Sequence, residues 1–251
     1  MRPLLGIQYF ALNTQRPIFE DNLPLRRAVN YAIDRHAMLI QGGYLSGKRT
    51  DQILPPGLAG FRNVQLYPLQ GPNFAVAKKL AQGHTRDGRV VLYTSNRGAN
   101  PAIAQILQFD LKQIGLAVDT QLYPTAVQLS KLGTKGEPFD IGSHAWVADY
   151  ADPYDFVNVL LDGGTIRDSG NVNFSYFDDP SFEKKMRDAA ALSGPERYVA
   201  YGKLDADIMR NASPWVVRAN MNDRVLVSGR VGCFTYNPIY ATDLAALCLN
   251  Q

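Results

Sequence analysis

Cysteine and histidine are scarce: among 251 residues there are only Cys233 and Cys248, and His36, His84 and His144. No two of them stand at zinc-type spacing, so no metal centre and no metal-borne cofactor is expected. The patterns G-x-S-x-G, G-x-x-x-x-G-K-[ST] and H-E-x-x-H do not occur, which leaves out the common hydrolase, nucleotide-binding and metalloprotease signatures. No cluster of five or more Lys/Arg is found, and 26 basic against 23 acidic residues leave a net charge of only +3. The basic footprint of a nucleic-acid binder is therefore lacking. No apolar run reaches the ~18 residues of a membrane span, and the stretch from Met1 to Gln8 is too short for an export signal.

What is present is a globular composition. Apolar residues make up 46% and charged residues 20%, which excludes disorder and coiled coil for the whole chain and allows one large domain or two small ones. Tyr9 to Asn13 reads as a strand. A helix is expected from about Pro24 to Ile40, with Asp21 or Asn22 as N-cap and Gly42-Gly43 as its stop. The Pro- and Gly-rich stretch from Leu54 to Pro72 reads as an irregular loop, and a short helix capped by Asn73 follows to Gln82. Arg89–Tyr93 reads as a buried strand and Thr94–Ala99 as a polar loop. Asn100-Pro101 reads as cap and first turn of a helix ended by Gly115, and Leu116–Leu122 as a second strand. Such a unit favours parallel pairing with a right-handed crossover. Further on come a helix at Thr125–Leu132, a strand at Phe139–Trp146 and a helix opened by Asp152-Pro153. Helices are then expected at Pro180–Leu192 and Pro195–Asn211, the latter with a Ser193/Glu196 capping box, and a strand at Trp215–Ala219. The whole is a mixed α/β pattern of helices packed on a sheet.

Four segments resemble the extracytoplasmic solute-binding proteins, family 5, of ABC transporters for oligopeptides, dipeptides and nickel. Leu12-Asn13-Thr14 through Phe19-Glu20-Asp21-Asn22, with Leu25 to Arg35, is similar to that family's N-t-x-x-P-F signature and its A-I-D-R ending. Asp110 to Val118 is similar to a helix-to-strand passage of the family. Trp146-Val147-Ala148-Asp149-Tyr150-Ala151-Asp152-Pro153 is similar to its W-x-a-D-Y-x-D-P. Asn173 to Tyr176, Pro180 to Phe182, Glu196-Arg197 and Pro214-Trp215 follow in family order.

The resemblance implies a type II periplasmic-binding-protein-like second lobe, a mixed sheet flanked by helices. It places a solute-binding lobe at 9–220, with 1–8 and 221–251 as terminal segments that return to the first lobe in full-length members. It implies a C-terminal half whose partners are a peptide or other small solute, an ABC permease and the missing N-terminal lobe. The parent protein would then be periplasmic or on the cell surface, the membrane being reached only through the transporter.

For the site, the resemblance implies that Asp149 pairs with a peptide α-ammonium, a charge-assisted bond that reads no side chains. Trp146 and Tyr150 flank it and offer apolar area with polar tips. In the loop after the first strand of the parallel unit, Asn96 and Arg97 stand where α/β sheets hold ligands, Arg97 suiting a carboxylate. Asn173 matches a family loop near the cleft. Ser143 stands six residues before Asp149, where some tripeptide carriers have a basic residue. Asp152 is read as a cap, and Asp34-Arg35 as a structural pair on the surface side of the first helix. In an exported protein Cys233 and Cys248 form a disulfide; two buried thiols are the alternative. Three functional classes stand side by side. The first is a non-catalytic carrier lobe for peptides, or for a nickel complex or oligosaccharide. The second is a solitary module docking on a permease or sensor. The third is a glycosidase built on Asp149 and Asp152, weakened by the capping role of Asp152.

Overall fold

The computed structural model describes residues 2–43 and 45–250. Its elements, in chain order, are β1 (Arg2–Leu12), α1 (Leu23–Ala32), α2 (Arg35–Gln41), β2 (Gly47–Arg49), α3 (Phe74–Ala81), β3 (Arg89–Ser95), α4 (Asn100–Lys112), β4 (Ala117–Tyr123), α5 (Thr125–Leu132) and β5 (Ile141–Val147). They continue with α6 (Tyr154–Leu161), α7 (Pro180–Ala190), α8 (Gly194–Asn211), β6 (Trp215–Asp223) and four two-residue strands. Those four are β7 (Val231–Gly232), β8 (Tyr236–Asn237), β9 (Ala241–Thr242) and β10 (Cys248–Leu249).

Six strands form one mixed sheet in the order β2-β6-β1-β5-β3-β4. The β3-α4-β4 unit is parallel, as its strand–helix–strand pattern predicts, with Val90 opposite Val118 and Leu92 opposite Thr120. β5 extends the parallel part beside β3, whereas β1 runs antiparallel to both β5 and β6. Alternation along β1 sends successive side chains to opposite faces. Tyr9 joins one apolar core, with Trp215, Val217 and residues of α6, α7 and α8. Phe10 joins the other, with Leu92, Val216 and residues of α1, α3 and α4. The strand is buried on both sides, which is why Leu4 to Leu12 reads as an almost continuous apolar run.

The single helix expected over Pro24–Ile40 is two helices. Ile33 is extended, and the Asp34 carboxylate accepts from the Ala37 N–H to start α2. Arg35 is not on the surface: it is fully buried and donates to the carbonyls of Val217, Asn30 and Pro68 and to the Asn30 side chain. Asn22 and Asn73 cap α1 and α3 as their positions imply. Ser193 makes no side-chain cap at α8, so the Ser193/Glu196 box is not formed. Ala99 caps α4, and Asn100 is already helical, its side chain donating to Ser95.

Leu54–Pro72 is irregular but not loose. Asp205 of α8 accepts from the N–H groups of Ile53 and Leu54, and Asp51 accepts from Tyr67 N–H. The expected boundaries at 9 and 220 both fall inside strands, β1 and β6 being continuous across them. Within the expected terminal segments, residue 1 and residue 251 lie outside the described residues.

Candidate functional site

The parallel strands end at a polar cavity of about 410 Å³. Ser95, Arg97 and Asn100 border it at the β3–α4 turn, and Thr125, Gln128 and Leu129 of α5 form a second wall. Ser143, His144 and Ala145 of β5, Gln8 of β1 and Arg218 of β6 form the floor. The carboxyl ends of parallel strands are where an open α/β sheet leaves room for a ligand, because the chain turns away there to start its helices. α4 and α5 both begin at this cavity, and neither has a side-chain cap.

Two arginines reach it. Arg97 is exposed on the rim. Arg218 is only 4% exposed, its Nε is buried without a hydrogen-bond partner, and its guanidinium lies 5.8 Å from the Phe10 ring centroid. Burial alone lowers its pKa to about 10. No ion pair engages Arg218 among the described residues, in contrast to Arg16, which pairs with Asp140 at 2.9 Å.

His144 stands among aromatic rings, with Phe174 at 4.8 Å, Tyr9 at 5.7 Å and Trp146 at 6.4 Å between centroids. Burial among them lowers its pKa to about 4. Its imidazole is thus neutral at physiological pH.

Beyond the cavity, β5 runs on to the turn that carries Asp149. Asp155, at the start of α6, builds this turn. Its Oδ2 accepts from the Trp146 indole N–H at 3.0 Å and from the Asp149 backbone N–H at 3.1 Å. Burial raises the pKa of Asp155, the two donors oppose this, and the charges of Asp149 and Asp152 add to the rise. The Asp149 carboxylate is exposed and makes no hydrogen bond or ion pair with the described residues. Tyr150 is exposed beside it. Its phenol is raised by burial first and then by the surrounding carboxylates, Asp155 and Asp149 among them.

Asp152 has a different role. Arg197 holds it with two hydrogen bonds, of 2.8 and 3.1 Å, and it accepts from the Tyr154 N–H at the start of α6. Burial pushes its carboxyl up, but the Arg197 bonds and the Tyr154 N–H outweigh this and hold it below the usual range. It is not a free second carboxylate beside Asp149.

The six residues singled out from sequence are thus dispersed. Arg97 lines the cavity. Asn96 is exposed next to it, its backbone N–H donating to the Tyr123 carbonyl. Trp146 lies on the opposite sheet face from Ser143 and Ala145 by strand alternation, anchored to Asp155. Asp149 and Tyr150 stand past the end of the strand. Asn173 corrects the expectation: it is 1% exposed, and its side chain is spent inside its own loop on Phe177 and Ser175, which leaves nothing to offer a ligand. The sequence pattern does not single out Arg218, and it gives Asp155 only as a residue three past the Asp152 cap, not as the holder of the Asp149 turn. The signal for the first was a lone charge inside the buried strand Trp215-Val216-Val217-Arg218-Ala219.

A mixed α/β lobe with an open polar cavity at its strand ends belongs to the class of ligand-holding α/β lobes. The family described as bacterial extracellular solute-binding proteins, family 5 Middle, matches residues 2–168, and the chain belongs to that family. It is 28% identical over 243 residues to heme-binding protein A of Haemophilus influenzae, covering 93% of this chain and 43% of that protein. It is 24% identical over 255 residues to the probable di/tripeptide-binding protein 5 of Pseudomonas aeruginosa, covering 99% and 47%. Among solved structures, the clavulanic acid biosynthesis oligopeptide binding protein 2 superposes with a TM-score of 0.88 at 22% identity, over all of this chain and 47% of that one. The fold is therefore that of a periplasmic binding protein. The chain spans about half the length of the curated relatives it matches.

Proposed function

We propose that this chain is the substrate-binding lobe of a carrier that delivers peptides to an ABC permease, holding its ligand without chemistry. One observation supports this above the others: Asp149 presents an unpaired carboxylate at the end of β5, on a turn that Asp155 keeps rigid. A ligand ammonium completes that carboxylate with a charge-assisted bond, and Tyr150 supplies apolar surface beside it. Arg97 meets a ligand from the other side. Asp149 follows the end of β5 and Arg97 follows the end of its parallel neighbour β3, so an acid and a base stand beyond the carboxyl ends of adjacent strands, which suits a zwitterionic ligand. Membership of a solute-binding family supports a carried solute, and the name of the Pseudomonas relative agrees with a peptide.

The lobe acts in the periplasm or at the cell surface, and the remaining length of its relatives supplies the opposite wall and the closure that traps the ligand. Asp152 is engaged by Arg197, which disfavours a carboxylate-pair hydrolase. The Haemophilus relative favours heme as the second reading. A Soret shift on adding heme would support it, and trialanine binding without one would not.

The test follows the ammonium. Backbone amide NMR signals of Val147 and Asp149 are expected to shift on titration with trialanine and to stay put with N-acetyl-trialanine. Asp149→Asn is expected to abolish the difference. Equal shifts from both peptides would overturn the assignment.

A further inference from the structure

We propose that Arg218 is the seat for an anionic group of the ligand, a carboxylate that enters the cavity and takes a two-point hydrogen bond from its guanidinium while Arg97 closes over it. The inference rests on the carrier reading above and adds to it the residue and the ligand chemistry at the inner end.

A buried cation is costly unless paired. The other buried arginines follow that rule: Arg35 donates to three backbone carbonyls and an amide oxygen, and Arg26 donates to the carbonyls of Ala212 and Phe19. Arg218 has the Phe10 ring on one side and an unsatisfied Nε. An apolar strand that retains such a charge needs a reason, and the cavity beside it supplies one.

The surroundings favour a negative guest. α4 and α5 both begin at this space without side-chain caps, and the positive end of each helix dipole favours an anion there. None of the residues lining the cavity is acidic. A volume of about 410 Å³ is far more than one small ion needs. It accommodates a carboxylate together with the residue that bears it, at the small end of ligand pockets. A planar carboxylate matches the guanidinium fork better than a point charge does.

The Arg218 Nε–H signal of the 251-residue chain, followed by NMR, tests this. Probes are succinate, trialanine, trialanine amide and sodium chloride at matched ionic strength. A saturable shift with succinate and with trialanine, and none with the amide or chloride, is expected. The Nε–H signal of Arg35 serves as the control for the fold. Arg218→Gln should weaken succinate binding by about tenfold or more, the factor for losing one charge-assisted pair, and Arg218→Lys should recover part of it. An unmoved Arg218 signal, or equal shifts with acid and amide, overturns the proposal, and an equal shift with chloride reduces the site to an adventitious ion only. Succinate binding without trialanine binding upholds the seat and defeats the peptide reading. Trialanine binding with Arg218 unmoved does the reverse.

Discussion

At the residue scale, the chemistry of the site depends on which charged groups the fold leaves unsatisfied. Asp152, Asp155 and Asp149 stand within one turn of chain, yet they have separate roles. Asp152 ties the start of α6 to Arg197 of α8, Asp155 holds the turn, and Asp149 faces outward. His144 gives this scale a pH prediction. Its pKa is about 4 in the fold and near 6.5 in the unfolded chain. Between those values the unfolded state binds the extra proton, so the contribution of neutral His144 is complete above about pH 6.5 and is lost as pH falls toward 4. Replacing it by Gln removes that dependence. The stability gap between wild type and His144→Gln, from urea unfolding, should narrow by at most about 2 kcal/mol between pH 7.5 and pH 5. A gap that stays constant would place His144 in a more solvated setting than its aromatic neighbours imply.

At the element scale, packing can oppose helix propensity, and Gly202 in α8 decides between them. Alanine in its place gains about 1 kcal/mol of helix propensity. The added Cβ, however, would run into the carbonyl oxygen of Gly60 and come within 2.8 Å of Arg62 Cδ. The clashing oxygen is backbone, so relief needs the loop at Gly60 to shift rather than a side chain to rotate. Overpacking against backbone costs about 1–3 kcal/mol, so Gly202→Ala should be less stable by about 1 kcal/mol in denaturant unfolding. A more stable variant would mean that the 54–72 loop moves freely over α8.

The same scale shows what sequence patterning conveys. The β3-α4-β4 unit, α5 and the strand leading to Asp149 were legible because apolar periodicity and Pro/Gly punctuation act locally. The break at Ile33-Asp34 was not, because the apolar stripe continues from α1 into α2 while Asp34 turns to cap and its N–H donates to the Asp110 carboxylate, 76 residues away. Burial of Arg35 was hidden for the same reason: besides Asn30, its partners come from β6 and from the loop at Pro68. Of the candidate site, motif and loop position point to Asp149 and Arg97, both exposed in the fold, and their ligand roles are proposals. Arg218 required knowing that β6 lies next to β1, a pairing between distant segments with no local signature.

At the scale of the whole molecule, the short strands of the C-terminal segment pair with one another rather than with the main sheet. Cys233 and Cys248 are bridged, with Cα atoms 5.4 Å apart, and the bridge ties β7 to β10. Pro238 accepts from the Leu5 N–H, and Ile239 packs on the core, whereas Leu226, Tyr240, Leu244 and Leu249 remain exposed. The cavity at the strand ends is also open to solvent. Association costs at least about 4 kcal/mol in lost translational and rotational freedom before any contact is counted. A ligand in an open cavity keeps part of its surface in water, so the contacts proposed for Asp149, Arg97 and Arg218 have little beyond that cost to set against it. Trialanine should therefore bind these 251 residues with a Kd of about 1 mM or weaker, visible as fast-exchange NMR shifts and absent as a calorimetric isotherm at micromolar protein. Stoichiometric, micromolar binding would mean that the lobe encloses its ligand unaided, and would overturn the picture of a half-cleft.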